Sequence, residues 1–590
     1  MKRLSLILKT PILFLRDKLS NRQFFILSSI LVGLGSGLAA IVLKYFVHSI
    51  ERLISFYSHN YEEFFLFAFF PLIGISLTVF FVRFFLHNKL KRGSAEVVYS
   101  IVKNSSILPS REVYSHVVTS GLTVGFGGSV GLESPMVNTG AAIGSTYGRI
   151  YKLSYKERTI LLACGASAGI ATAFNSPIAG VLFAIEVLLA DVSAAAFIPL
   201  IISAASGALL SRIILTENLT LSFSLQEPFN YMNMPWYIAL GIVAGLISLY
   251  FARTFIWIEH RMSKITNRIG RVLIAGMLLF VLVLLFPPLY GEGYESIRML
   301  SEMKPEEIFT NSLLLGVLDN EVNIMIFLGF LVFLKTVAAA ITVGSGGNGG
   351  NFGPSLFVGA YLGYVFSKLI NFSGLADLPE NNFMLVAMAG ILSGVFYAPL
   401  TAIFLIAEIT GGYGLMIPLM TVSALSLIVV HYFEPLSMDA KKLSRKLNLS
   451  VDNRDTFLLS KLDLAELIET NFSIVRPDDN LQKLIEVISK SKRNTFPVIN
   501  EKRELVGLVH MDNIRSIIFS SEKPEDVSVN TLMDPPAAVI HVNENLHSVL
   551  EKFDETNLWN LPVVDKNQYL GFVSKSSVLT KYRAELLKTV

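Results

Sequence analysis

The chain of 590 residues has a single cysteine, Cys164, so no intrachain disulfide can form. Charge is scarce: 16% of the residues are Asp, Glu, Lys or Arg, against about 25% in an ordinary soluble domain. The net charge of +3 is too small to suggest nucleic acid, and no basic-aromatic module accompanies it. No His-Glu-x-x-His occurs, which excludes a zinc active site of the intramembrane metalloprotease kind. These absences argue against an enzyme, a disulfide scaffold and a nucleic-acid binder.

Hydrocarbon is what the chain has in abundance, with 52% hydrophobic residues and a mean hydropathy of +0.55. Apolar runs over 24–46, 64–85, 236–258, 272–289 and 324–342 reach or approach the length needed to cross a bilayer, roughly 20 residues. Beyond about Lys441 the chain is rich in Lys, Glu and Asp and has no such run. The expected organisation is an all-α polytopic membrane domain over 22–440, a linker over 441–464 and a soluble α/β region over 465–590. Residues 1–21 begin like a signal peptide, but Lys9 and Pro11 interrupt the apolar run and Arg16-Asp17-Lys18 follows without a small-x-small site. An amphipathic cytosolic helix is expected there. Lys2, Arg3, Lys9, Arg16, Lys18 and Arg22, ahead of the first span, favour a cytoplasmic N-terminus.

Within the membrane domain one pattern occurs twice. Gly131-Leu132-Glu133-Ser134-Pro135 is followed by Gly140 and Gly144, and Gly350-Asn351-Phe352-Gly353-Pro354 by Gly359 and Gly363 at the same offsets. A second block repeats in step. Gly165 and Gly169 precede Ser176-Pro177 and then Glu186; Gly390 and Gly394 precede Ala398-Pro399 and then Glu408. The two prolines of the first block are 219 residues apart, and those of the second block 222. Duplicated halves, about 22–215 and 235–440, with Gly/Pro breaks in corresponding places, point to inverted-topology repeats and a site built from broken or re-entrant helices.

Glu133 stands where a helix would start. Such a start offers unpaired N–H groups and a partial positive charge, which suit an anion. A carboxylate can occupy the anion's own position and admit the anion when it takes a proton or swings away. The second unit has no carboxylate there; its glycines can bring bare N–H groups close to an ion. The paired Gly-Pro helix starts favour an anion over a divalent cation, which needs a cluster of oxygen ligands.

The tail carries its own repeat. Phe496-Pro497-Val498-Ile499-Asn500 leads through a polar turn to Leu505-Val506-Gly507-Leu508-Val509, and Leu561-Pro562-Val563-Val564-Asp565 leads to Tyr569-Leu570-Gly571-Phe572-Val573. These read as paired β-strands, preceded by amphipathic helices over 481–489 and 546–553.

The tail resembles a tandem pair of CBS domains. That resemblance implies an adenosine-ribose site at a Ser/Thr and an Asp, positions held here by His510 and Asn513 and by Ser574 and Ser577. With both aspartates missing, a dimerising or structural tail is expected rather than a nucleotide sensor, and no cofactor. Residues 22–440 resemble the CLC family of chloride channels and proton-coupled chloride transporters, in which a CBS tail is a common attachment. Gly131–Pro135 resembles the family's G-[KR]-E-G-P motif, with Leu132 and Ser134 as departures, and Gly350–Pro354 matches G-x-F-x-P. The resemblance implies a homodimer in the lipid bilayer with one pore per subunit, Glu133 as the gating glutamate, and an anion site at Phe352 with the backbone near Gly131, Leu132, Ser134, Asn351 and Gly353.

Three places depart from the family. Its first anion motif ends here at Glu96, which puts Arg92 at the anion-binding serine, or Ser94 after a local shift. Ser437 or Asp439, depending on register, falls at the anion-coordinating tyrosine. Val187 stands where proton-coupled members commonly carry an internal glutamate; its neighbour Glu186 is either a helix-packing residue or a proton relay. The resemblance therefore implies chloride permeation that is channel-like or weakly proton-coupled. The alternatives are a proton-coupled antiporter and, from another class, a CBS-regulated divalent-cation transporter.

Overall fold

The computed structural model describes residues 16, 18–59, 64–189, 194–215, 223, 227–304, 306, 308, 312–314, 316, 320–447, 464–518, 527–542, 544 and 546–589. Most of the expected helix over 1–21 and most of the 441–464 linker lie outside the described residues. The chain divides into two compact units, 1–447 and 448–590.

The first unit is helical. Five of its helices carry the apolar runs read from the sequence: Asn21–His59, Phe64–Phe84, Met234–Ser263, Arg268–Leu285 and Glu321–Ser345. Three further helices are also long and apolar enough to cross a membrane: Ala194–Ile214, Phe352–Phe372, and Met416–Phe433 with its continuation Met438–Leu447. Glycine and serine dilute the apolar pattern of the second, and Pro435 interrupts the third. Pro177–Phe183 and Pro399–Ile409 are too short to span. Each opens on a proline at its first position, where the missing N–H costs nothing. Each follows a helix closed by a left-handed residue, Asn175 (φ 55°) or Tyr397 (φ 59°), so the same break is made twice.

Glycine sets the packing between the Glu133–Ile150 and Tyr155–Phe174 helices. A Cβ on Gly140 would run into the carbonyl of Gly165, and one on Gly165 into the carbonyl of Gly140. Small residues facing each other let two helix backbones touch, a common solution in membranes, where apolar burial supplies little drive. The counterpart pair, Phe352–Phe372 on Glu380–Phe396, seats Gly359 and Gly363 against the main chain at Met388 and Phe383.

Two contacts show that the halves are related by a local two-fold axis. Gly131 and Gly350, 219 residues apart, form a reciprocal antiparallel bridge. Glu186 caps the Pro399–Ile409 helix by accepting from the N–H groups of Leu400 (3.0 Å) and Thr401 (2.7 Å). Glu408 caps the Pro177–Phe183 helix by accepting from Ile178 (3.0 Å) and Ala179 (2.9 Å). Donors and acceptors in the two sets are all 222 residues apart, and reciprocity between equivalent positions requires a two-fold relation.

The second unit contains both hairpins. Thr495–Ile499 pairs antiparallel with Leu505–His510, and Asn560–Asp565 with Gln568–Ser574. Helices Leu481–Lys490 and Leu546–Thr556 cover them. Ile540–His541 adds a parallel edge to the second sheet; two residues are too few to leave a strand pattern in the sequence. The second sheet is tied to the rest of the unit through Phe572 and Glu469, which exchange backbone hydrogen bonds of 2.7 and 3.0 Å, and the first through Leu508 and Asp534, at 2.8 and 2.9 Å.

Candidate ion path

Glu133 and Phe352 are the first residues of their helices. The strands of chain leading into them lie side by side: Gly131 N–H donates to Gly350 O at 3.0 Å and Gly350 N–H to Gly131 O at 2.8 Å. A Cβ at position 131 would meet the Glu133 carboxylate and, at 2.8 Å, the Gly353 nitrogen. Glycine is therefore required for the two helix starts to reach one point.

The Glu133 side chain is buried, with 2% exposure. One carboxylate oxygen accepts from the Gly353 N–H at 3.3 Å. The other accepts from the hydroxyl of Tyr294, which opens the Tyr294–Ser301 helix. The carboxyl group thus sits on the N-terminus of the second repeat's helix, the place that suits an anion. Tyr294 was not singled out from the sequence. Its partner is 161 residues distant, and the one local signal is Gly291 and Gly293 with positive φ just before it.

A set of buried ionisable residues missed by sequence reading lies around Glu133 and the 291–293 turn that leads to Tyr294. Glu292 accepts from the Leu132 N–H at 2.9 Å. Lys44 donates to the Ala173 carbonyl at 2.5 Å and interacts electrostatically with both Glu292 and Glu133. Lys335 is fully buried, donates to the Gly291 carbonyl at 2.8 Å and lies 4.8 Å from the centre of the Phe357 ring. A buried charge is stable only when paired or hydrogen-bonded, so each of these side chains holds a fixed place.

A cavity of about 60 Å³ opens next to Glu133 and is lined also by Ser134, Asn351, Phe352, Arg92, Ser94 and Asp439. One water-sized probe needs about 10–15 Å³, so the cavity has room for a few water-sized species. The Phe352 ring stands among Phe174 and Phe396, each at 5.4 Å between ring centres, and Phe183 at 6.2 Å. Both readings of the first anion motif reach this cavity. Arg92 lines it while donating to the Gly346 carbonyl at 2.7 Å, which anchors the loop ahead of Phe352. Ser94 begins the Ser94–Lys103 helix and its hydroxyl donates to the Asp439 carboxylate. The Asn351 amide nitrogen lies 3.8 Å from the Met438 sulfur.

Other candidate residues stand apart from the lining. Gly131 and Leu132 are engaged through their backbones as described, and Gly353 enters through its N–H. The Ser437 hydroxyl accepts from the Ala440 N–H at 3.2 Å and caps the Met438–Leu447 helix. Glu186 is engaged at the start of the Pro399–Ile409 helix, where the Thr401 hydroxyl also donates to it at 2.6 Å. In the second unit the Ser574 hydroxyl donates to Glu469 at 2.7 Å, Ser577 to the Ser574 carbonyl at 2.9 Å, and the Asn513 amide to Asp534. His510 lies 3.3 Å from the Thr495 hydroxyl.

Two halves related by a local two-fold, with broken helices and the Glu133 carboxylate at a cavity they share, define an ion-translocating membrane protein. The family model "Voltage gated chloride channel" matches residues 74–431, more than half of the chain, and the CBS domain model matches 464–520 and 528–584. The chain belongs to the voltage gated chloride channel (CLC) family and carries a tandem CBS pair.

Among its relatives, a putative chloride channel protein ClcB-like of Ralstonia nicotianae is 26% identical over 366 residues, covering 60% of this chain and 80% of that protein. Chloride channel protein CLC-e of Arabidopsis thaliana is 28% identical, over 51% of this chain and 44% of that protein. An H(+)/Cl(-) exchange transporter ClcA of Vibrio vulnificus is 29% identical, over 51% of this chain and 62% of that protein. The crystal structure of a slow cyanobacterial Cl-/H+ antiporter superposes with a TM-score of 0.62 at 21% identity, covering 74% of this chain and all of the other. A eukaryotic CLC transporter superposes at 0.60 and 19%, covering 94% and 97%. These two likenesses concern the fold.

Proposed function

We propose that the chain carries chloride across a membrane through the cavity beside Phe352, with Glu133 as its gate. The observation that carries this reading is the hydrogen bond from the Gly353 N–H to the Glu133 carboxylate. The carboxylate there competes with an anion for the same donor and the same helix end. When it takes a proton or rotates off Gly353, the anion takes its place. In this reading the path is channel-like or weakly proton-coupled. Val187, which cannot bind a proton, supports that side, as does the engagement of Glu186 with Leu400 and Thr401.

A second reading, proton-coupled exchange, has its own support. Asp439 and Glu259 line the same cavity as Glu133, and water in such a polar cavity can relay a proton. The names of the relatives include both channels and exchangers. The proposal further takes the protein as a homodimer with one path per subunit. It places the N-terminus and the CBS pair in the cytoplasm, a side favoured by Lys441, Lys442, Arg445 and Lys446 at the end of the last membrane helix.

The test is chloride and proton flux measured together on purified protein in vesicles. Wild-type protein should carry chloride, and Glu133→Gln should change the rate and abolish whatever proton linkage exists. Chloride flux with unaltered rate and pH dependence in that variant would remove Glu133 from the gate. Stoichiometric uphill proton movement driven by a chloride gradient would replace the channel-like reading with the exchanger.

A further inference from the structure

Glu133 has a second carboxyl group close by. Glu292 accepts from the Leu132 N–H at 2.9 Å, one residue before Glu133, and stands two residues before Tyr294, whose hydroxyl donates to Glu133. Both side chains are thus tied to one helix start. Lys44 interacts electrostatically with both of them. Its ammonium donates to the Ala173 carbonyl at 2.5 Å, and the next residue, Phe174, packs edge-on against Tyr294 with 6.4 Å between ring centres. We infer that Glu292 and Lys44 are positioning residues for Glu133, an opposed pair of charges that sets the pH at which its carboxylate leaves the Gly353 N–H. The inference rests on the reading of Glu133 as the gate and names what tunes it.

Holding the Leu132 N–H does not require a charge. A side-chain amide offers the same kind of carbonyl acceptor. A buried carboxylate costs more than an amide, and its charge repels an ionised Glu133 while the Lys44 ammonium attracts it. Salt screens such forces little in a buried site. Glu292 therefore loosens the ionised gate, and Lys44 holds it in place.

The other ionisable groups around Glu292 come from two packed helices and its own turn. Lys335, on the Glu321–Ser345 helix, donates to the Gly291 carbonyl at 2.8 Å and interacts with Glu292 but is not among the charges that act on Glu133. Glu51, on the same helix as Lys44, adds negative charge toward Glu292 and lies 3.8 Å from His48. Tyr294 is engaged with Glu133 as a donor. Lys44 is the cation that acts on both carboxyl groups, which makes it the counterweight to Glu292.

Chloride flux in vesicles, measured on the full chain across pH, tests this. In the gate reading flux rises as pH falls, because a protonated Glu133 no longer competes with the anion. Glu292→Gln keeps an acceptor for Leu132 and removes the charge. The ionised gate is then repelled less, so half-maximal flux should move to lower pH by about one unit, the scale of a close neighbouring charge. Lys44→Met should move it to higher pH by about as much, and Lys44→Arg, which keeps the charge, should keep the wild-type midpoint. In a Glu133→Gln background neither Glu292→Gln nor Lys44→Met should move the profile, since both act through that carboxylate. A packing role would lower flux at every pH and leave the midpoint in place. If Glu133→Gln alters flux while Glu292→Gln leaves the midpoint unmoved or raises it, the tuning pair is wrong and the gate stands, whatever Lys44→Met does. A wild-type flux that is flat with pH overturns the pair as well. If Glu133→Gln leaves flux and its pH dependence untouched, gate and pair fall together.

Discussion

Glu186 accepts two hydrogen bonds from Thr401, one from its N–H at 2.7 Å and one from its hydroxyl at 2.6 Å. Position 186 belongs to the first repeat and position 401 to the second, so the carboxylate of one half closes a helix of the other. Glu408 returns the contact through Ile178 and Ala179. A charge in a membrane domain is expensive unless satisfied, and this exchange satisfies two carboxylates and two helix starts at once.

Glu186→Ala and Glu408→Ala should therefore destabilise the protein, each by about 1–3 kcal/mol, since each exposes a helix start and removes charge-assisted hydrogen bonds. Glu186→Ala should cost the more, because it also strands the Thr401 hydroxyl. Thermal unfolding in detergent measures this. A variant that melts with wild type would show that the cap contributes nothing to stability.

Tyr294→Phe removes the side-chain donor that helps hold the Glu133 carboxylate. A hydrogen bond to a charged group is worth about 1.5–3 kcal/mol, so the carboxylate should leave the path more readily and chloride flux should rise about tenfold or more. The double variant with Glu133→Gln should match Glu133→Gln alone, because the hydroxyl acts through that carboxylate. Additive effects would mean that Tyr294 contacts the anion directly.

The CBS pair should not bind adenine nucleotides at sub-millimolar concentration. Asn513 is engaged with Asp534, and the Ser574 hydroxyl with Glu469. No ribose-binding aspartate stands at position 513 or 577. Calorimetry of a 441–590 fragment with ATP, ADP and AMP is the check, and saturable heats in the micromolar range would contradict it.

Stability of the same fragment should fall in acid. Burial pushes the Asp479 carboxyl up, but the Lys483 ammonium at 2.5 Å, the Arg476 N–H at 2.8 Å and the charges of both residues hold it below the usual carboxylate range. Burial of Glu544 is likewise outweighed by Lys552, Ser548 and the His541 N–H. A depressed folded-state value stabilises the fold above the unfolded-state value, about 4 for a carboxyl, and that stability is lost as pH falls through the folded value. Melting temperature should thus be level near neutrality and drop below about pH 4. Lys483→Met should flatten part of that drop; an unchanged profile would exclude the pair as its source.

The sequence by itself determined the architecture. Runs of apolar residues require helices that cross a bilayer, and Gly/Pro breaks repeated at offsets of 219 and 222 residues require two equivalent halves. The helix starts at Glu133 and Phe352 were legible because Gly/Pro breaks leave local signatures, and the tail hairpins because alternating apolar strands flank polar turns. Tertiary structure decided what depends on distant pairs. Tyr294 reaches Glu133, Glu292 reaches Leu132, and Asp439 reaches Ser94 only because the helices cross, and no spacing in the chain encodes those meetings. It also placed the residues whose roles the sequence left open. Arg92 and Ser94 both face the cavity, Asp439 lines it, Ser437 caps a helix, and Glu186 closes the opposite repeat, since where a side chain points depends on the packing of helices hundreds of residues apart.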